Sequence, residues 1–271
     1  MKKMRIGILF GGRSGEHEVS LMSARSVLEA IDPDKYEVYM IGITKQGRWI
    51  CGDDPLLALE SGEEAAGKAP AAALLGDPNN HSLLQIREDE GMREVAFSNV
   101  QELDILFPVF HGTFGEDGTV QGLFELADIA YVGAGVLGSA IGMDKGIFKA
   151  VMRAAGLPVL PAVVINRSEY DRDSDKVIRS VVQELNFPVF VKPVNLGSSV
   201  GVTKATDIAA LRSGLDEAAR WDRRLLVEQG VDAREIEVSV LGNDEPQVSV
   251  AGEVVPQREF YDYQAKYISD D

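Results

Sequence analysis

The sequence predicts a parallel α/β domain at the amino end and an α+β unit after it. Three observations lead there. A short apolar run at residues 5–10 breaks into the turn Gly11-Gly12-Arg13-Ser14-Gly15, and an amphipathic helical pattern and a second strand follow, as at the start of a helix-covered parallel sheet. Downstream, residues 235–241 alternate apolar and polar, and Gly242-Asn243-Asp244 turns the chain into a second run at 247–255, in the manner of antiparallel strands. A length of 271 residues suits about two domains.

Taken in order, the first helix spans about residues 18–31 and the second strand 36–43. Loops at the carboxyl ends of such strands are the usual ligand-facing edge. Residues 52–92 are rich in alanine, glycine and acids with little periodicity, which predicts a solvated insertion without chemistry of its own. The sheet resumes at 103–110 and ends in His111-Gly112-Thr113-Phe114-Gly115-Glu116-Asp117-Gly118, ahead of a helix near 120–127. Tyr131-Val132-Gly133 closes this domain, Gly135 and Gly138 mark a hinge, and a helix at 145–155 stops at Gly156 and Pro158. A strand at 159–165, a helix at 175–185, a strand at 188–192, a helix at 207–221 and a strand at 225–228 make the α+β unit.

Composition narrows the function. Hydrophobic residues at 45% and charged residues at 26% fit a globular protein and argue against disorder. No apolar run reaches the roughly 18 to 20 residues that cross a bilayer, so the expectation is a cytoplasmic protein. With 27 basic against 43 acidic residues the net charge is −16, which repels nucleic acid and anionic membrane alike. Any phosphate ligand must be small and locally caged. The single cysteine, Cys51, has no partner for an internal disulfide and is read as a packing residue. His17 and His81 are read as surface residues, and Glu237 as part of a solvated strand face.

One stretch looks built for such a cage. The strand Phe190-Val191-Lys192 runs into Pro193-Val194-Asn195-Leu196-Gly197-Ser198-Ser199-Val200-Gly201. Glycines let backbone N–H groups approach an anion, serine hydroxyls add donors, and a lysine at the strand end supplies charge. In isolation Lys192 also reads as a solvent-reaching lysine, and Ser198 and Ser199 as ordinary turn formers. Glu16 and Glu18 likewise suit the start of any helix.

Five segments in register resemble the D-alanine:D-alanine ligases of the ATP-grasp superfamily. They are Gly11-Gly12-Arg13-Ser14-Gly15-Glu16-His17-Glu18-Val19-Ser20, His111-Gly112 with Gly115-Glu116-Asp117-Gly118, Met143-Asp144-Lys145, Lys192-Pro193 with Gly197-Ser198-Ser199-Val200-Gly201, and Tyr261-Asp262-Tyr263-Gln264-Ala265-Lys266-Tyr267. The resemblance implies an amino-terminal parallel α/β (pre-ATP-grasp) domain at 1–134 that binds substrate, with the insertion at 52–92. A central ATP-grasp subdomain at 135–227 follows, then the start of a carboxyl-terminal subdomain with a lid loop at 228–271. The implied ligands are ATP, Mg²⁺ or Mn²⁺, and D-alanine, with no nucleic-acid or membrane partner and with homodimers common.

Residue by residue, the resemblance places the ammonium of the first D-alanine on Glu16 and its carboxylate near His111. Lys145, Lys192, Ser198, Ser199 and Gly201 would face nucleotide phosphates, Glu228 the ribose or adenine side, and Glu235 the ribose. Lys266 and Tyr267 would sit on the lid. Glu16, Ser198 and Tyr267 would form a hydrogen-bonded triad, and the tyrosine favours an amine over D-lactate as second substrate. The family's later metal-binding acids and its arginine have no counterpart before Asp271. The expectation is therefore an ATP-grasp fold with its second half incomplete, metal ligands beyond Asp271 and negligible turnover by these residues alone. Another ATP-grasp carboxylate–amine ligase, or a noncatalytic nucleotide-binding module, are the alternatives.

Overall fold

The computed structural model describes residues 2–88 and 95–255. The chain divides into two compact units, Met1–Val151 with Asn195–Gly197, and Met152–Val194 with Ser198–Asp271.

The first unit is built on a seven-stranded sheet. Strand β1 (Met4–Gly11) leads through helix α1 (His17–Ala30) to β2 (Tyr36–Ile43), and β1 and β2 pair in parallel. On α1 the buried His17, Ser20, Leu21 and Ala24 recur at the spacing that places side chains on one helical face. Strand β1 is apolar from Ile6 onward because the sheet is covered on both sides. Ile6, Ile8 and Phe10 join the cluster containing Leu21 and Ala24 of α1, whereas Leu9 joins the opposite cluster. Gly7 marks a close approach on that second side, since a Cβ there would stand 2.9 Å from Leu103 and Leu106.

The stretch after β2 corrects the expectation of a solvated insertion. It forms β3 (Trp49–Ile50), α2 (Pro55–Glu60), α3 (Glu63–Lys68), β4 (Ala71–Leu74) and β5 (Ser82–Glu88), followed by β6 (Val95–Glu102). These strands extend the sheet antiparallel from β2 outward. Leu56, Leu59, Ala66, Leu74 and Leu83 are buried there. The short elements carry too few residues each for periodicity to show, which is why composition misled. On the other edge, β7 (Ile105–Pro108) pairs in parallel with β1, and α4 (Thr119–Leu126) sends Val120 and Phe124 into the second cluster. Phe10 and Phe124 are fully buried, each contributing roughly 1.5–3 kcal/mol of hydrophobic stabilisation. The sequence-predicted hinge glycine Gly138 instead lies inside α5 (Val136–Met143), and α6 (Lys145–Ala154) follows directly.

The second unit contains β8 (Ala162–Asn166), α7 (Arg167–Arg172), α8 (Ser174–Glu184), β9 (Val189–Pro193), β10 (Thr203–Ala205), α9 (Ile208–Trp221) and β11 (Arg224–Gln229). Its sheet order is β10-β9-β11-β8, antiparallel at each step. Helix α7 was not expected; Asn166 and Glu169 form a capping box that starts it. Val189, Val191, Leu225 and Val227 cluster with Ile178 and Val181 of α8 and Leu211 and Leu215 of α9. The strand expected at 235–241 is divided into β12 (Glu235–Glu237) and β13 (Val240–Leu241). Between them Ser239 binds Ser249 through both backbone groups, and the two halves pair with different partners, β15 (Gly252–Val254) and β14 (Gln247–Val248).

Candidate active site

In the first unit the loops after β1, β2 and β7 converge. Gly11 and Gly12 take positive φ, and the Gly12 N–H donates to the Ile43 carbonyl at 2.8 Å, tying the β1 turn to the end of β2. The Gly11 N–H donates to Ser20 Oγ, which donates in turn to the Val109 carbonyl at 2.5 Å. Ser14 Oγ donates to the His111 carbonyl at 2.6 Å and accepts the Glu16 N–H at 3.1 Å. These serines couple the two motif loops, and sequence reasoning assigned them no role. The signal available was the place of Ser14 in the glycine turn and of Ser20 at the end of the motif segment that begins at Gly11.

His17 is a correction: it is buried, and its Nδ1 lies 2.8 Å from the Gly12 carbonyl. A carbonyl only accepts, so Nδ1 carries the proton. His81 is half-buried rather than a free surface residue, with Nε2 enclosed. His111 Nε2 sits 2.9 Å from Ser23 Oγ.

Glu16 is 5% exposed, an uncommon state for a carboxylate. Gly112, at φ +76°, comes so close that a Cβ there would stand 2.3 Å from Glu16 Oε2, and one at Gly197 would stand 3.0 Å from it. Glu116 and Asp117 brace the histidine loop from within: Gly112 N–H donates to Glu116 Oε2 at 2.7 Å, and Phe114 and Thr119 N–H donate to Asp117. Beside this constellation lies a cavity of about 300 Å³ whose walls include Gly12, Arg13, Trp49, Phe110 and His111. Arg13 stacks over the Phe114 ring at 4.6 Å. Lys145 opens α6 and donates from Nζ to the Leu196 carbonyl.

In the second unit Lys192 and Glu228 lie on adjoining strands. The register sets Leu226 opposite Lys192 and Phe190 opposite Glu228, so all four side chains share the sheet face opposite α8 and α9. Lys192 Nζ reaches Glu228 Oε2 at 2.5 Å, and the ammonium lies 5.8 Å from the Phe190 ring. The loop after β9 holds Ser198 at φ 46°, Ser199 at φ 59° and Gly201 at φ 68°. Left-handed backbone costs roughly 1–2 kcal/mol at a non-glycine residue, and such conformations concentrate at ligand clamps. Glu235 is exposed on β12. Lys266 and Tyr267 lie outside the described residues, and Glu16 and Ser198 belong to different units.

A family model described as the D-ala D-ala ligase N-terminus matches residues 5–134, and one described as the D-ala D-ala ligase C-terminus matches residues 151–271. The chain belongs to the D-alanine–D-alanine ligase family. It is 49% identical over 270 residues to the D-alanine–D-alanine ligase of Natranaerobius thermophilus, spanning 100% of this chain and 72% of that one. To the enzyme of Thermoanaerobacter pseudethanolicus it is 48% identical over 267 residues, 98% and 72% of the two chains. Among solved structures it resembles the VanG D-Ala:D-Ser ligase from Enterococcus faecalis, with TM-score 0.79 at 33% identity over 97% of this chain and 73% of that one. The D-alanine–D-alanine ligase from Coxiella burnetii gives TM-score 0.77 at 33% identity over 93% and 71%. Like other members of this ligase family, the chain is an ATP-dependent enzyme of the ATP-grasp fold. No helix among the described residues is long and apolar enough to cross a membrane.

Proposed function

We propose that the protein joins two D-alanines into D-alanyl-D-alanine for peptidoglycan precursor synthesis. The carboxylate of the first D-alanine attacks the γ-phosphorus of ATP and ADP leaves. The amine of the second then attacks the acyl phosphate carbon, releasing phosphate and a proton. The observation that supports this most directly is the left-handed Ser198–Ser199 turn placed just after the lysine-bearing strand. Such a turn aims successive backbone N–H groups at one point, where a phosphate oxygen would be held.

In this reading Glu16 takes the ammonium of the first D-alanine and His111 lies near its carboxylate. A buried carboxylate favours a cationic group as its partner. Lys145, Lys192, Ser198, Ser199 and Gly201 hold nucleotide phosphates. Glu228 and Glu235 accept hydroxyl or amino donors from the nucleoside. Lys266 and Tyr267 act on the lid, and Tyr267 completes a triad with Glu16 and Ser198. Residues 1–134 form the amino-acid-binding domain, 135–227 the central nucleotide-binding subdomain and 228–271 the start of its partner subdomain. The protein works in the cytoplasm as a homodimer.

Among the described residues no group of three or more His, Cys, Asp or Glu side chains would hold a metal ion. A divalent ion, Mg²⁺ or Mn²⁺, is proposed to accompany the nucleotide phosphates and neutralise their charge.

The test is ATP consumption with D-alanine, D-serine and D-lactate offered as second substrate, with the product identified by mass. D-alanyl-D-alanine should form in preference to the other two products. Preferred formation of D-alanyl-D-serine, the product class named for the Enterococcus structure, would overturn the substrate assignment while keeping the reaction class.

A further inference from the structure

The cavity of about 300 Å³ at the carboxyl ends of β1, β2 and β7 takes apolar wall from Ile43, Trp49, Phe110, Val120 and Leu123. Its size is at the lower end of small-molecule sites, which run from about 300 to 1,000 Å³ and are mostly apolar with a few placed polar groups. No aspartate or glutamate lines it, whereas Arg13 does. In a chain of net charge −16, an acid-free cavity with a cation on its wall is a local reversal of sign.

Arg13 is positioned without being neutralised. Its stem lies on Gly47, where φ is +89° and a Cβ would stand 2.6 Å from Arg13 Cδ. Its guanidinium lies over the ring of Phe114, which is 43% exposed and whose N–H is held by Asp117 Oδ2 at 2.8 Å. The other cations of the β2–β3 turn are engaged: Lys45 pairs with Glu18 at 2.7 Å, and Arg48 donates to the carbonyls of Ala66, Gly67 and Ala69. Arg13 makes no ion pair or hydrogen bond with a described residue. Stacking uses the face of the guanidinium, and its N–H donors, which lie in the plane, stay available to a ligand.

We propose that this cavity binds a small monocarboxylate with an apolar body, its carboxylate on the Arg13 guanidinium and its hydrocarbon part against Trp49, Phe110 and Leu123. The planar fork of arginine matches a carboxylate with two parallel hydrogen bonds. One cation balances one negative charge, which disfavours a dianionic phosphate. The site is separate from the proposed amino-acid site: Glu16 is not among its walls, and His111 Nε2 meets Ser23 Oγ of α1, which does not line it either.

The experiment follows Trp49 fluorescence in a Trp221→Phe background, where Trp49 is the chain's one tryptophan. Cyclohexylacetate, 2-cyclohexylethanol and 2-cyclohexylethylamine are titrated in turn. A saturable change is expected with the carboxylate, a weaker one with the alcohol and none with the amine. Arg13→Met should weaken carboxylate binding by about tenfold and leave the alcohol within about twofold. Thr119→Phe, at an exposed wall position where α4 begins, should weaken both by narrowing the cavity. Saturating D-alanine should not displace cyclohexylacetate. No saturable change, equal affinity for the amine, equal losses of acid and alcohol in Arg13→Met, unchanged binding in Thr119→Phe or competition by D-alanine would each overturn the assignment. Should one variant fail to fold, the other carries the test.

Discussion

Lys192 and Glu228 meet at 2.5 Å across antiparallel neighbours, with their side chains 24% and 10% exposed. The two residues expected on different parts of the nucleotide are thus partners of each other in this structure. Enclosed to this degree, the pair has an interaction stronger than a surface ion pair, and removing one member strands the other.

Lys192→Met should lower stability by about 2 kcal/mol, because the Glu228 carboxylate loses its nearest cation. The double variant Lys192→Met with Glu228→Gln should recover most of that loss while nucleotide binding stays impaired. Denaturant melts and nucleotide titration of the three proteins separate the two effects. If the double variant binds nucleotide normally, Lys192 serves only the fold.

Gly112→Ala should damage the amino-acid site. The position has φ +76°, and the added methyl would collide with Glu16 Oε2. A stability loss of about 1–3 kcal/mol is expected from the backbone alone. KM for the first D-alanine should rise more than KM for ATP, which steady-state kinetics measures directly.

Ser199→Gly should relieve left-handed strain at φ 59° and stabilise the second unit by about 0.5–1 kcal/mol, part of the gain being offset by glycine's freedom in the unfolded chain. The same substitution should slow phosphoryl transfer if the hydroxyl contacts phosphate. A gain in melting temperature with full activity would remove Ser199 from the site.

Acid should weaken the first unit through Asp104. Hydrogen bonds from the Arg5 side chain and backbone hold its carboxyl down at about 2, against an ordinary value of 3.8. A depressed carboxylate contributes its full stability above about pH 4 and loses it as the pH falls toward 2. Asp104→Asn should therefore melt below the parent protein at pH 7, and the gap should close between pH 4 and 2. Solvent screening keeps the effect modest, since the Asp104 side chain is 36% exposed.

Cys51 should resist alkylation until the protein unfolds. It is 3% exposed, and burial pushes its thiol pKa up, so little thiolate is present to react. Rapid labelling under native conditions would contradict this.

Much of the fold was legible because the long elements carry full periods. The faces of α1, α8 and α9 and the strands β1, β9 and β11 follow from spacing that one segment contains by itself. The sheet extension from β3 to β6 was hidden because two- to eight-residue strands in an alanine- and glycine-rich stretch gain their identity from neighbours. At the site, motif glycines and serines marked the loops, yet their contacts were not readable. Ser14 and His111 are 97 residues apart in the chain, and only folding makes them partners.

By itself the sequence determined the two-part α/β and α+β plan, the lysine-to-glycine loop and the family, since residue type and local spacing carry those. Tertiary structure alone decided that Glu16 is enclosed against Gly112 and that Lys192 answers Glu228. The physical reason is that burial and strand register are properties of the assembled chain, and both the cost of a charge and the identity of its partner depend on them.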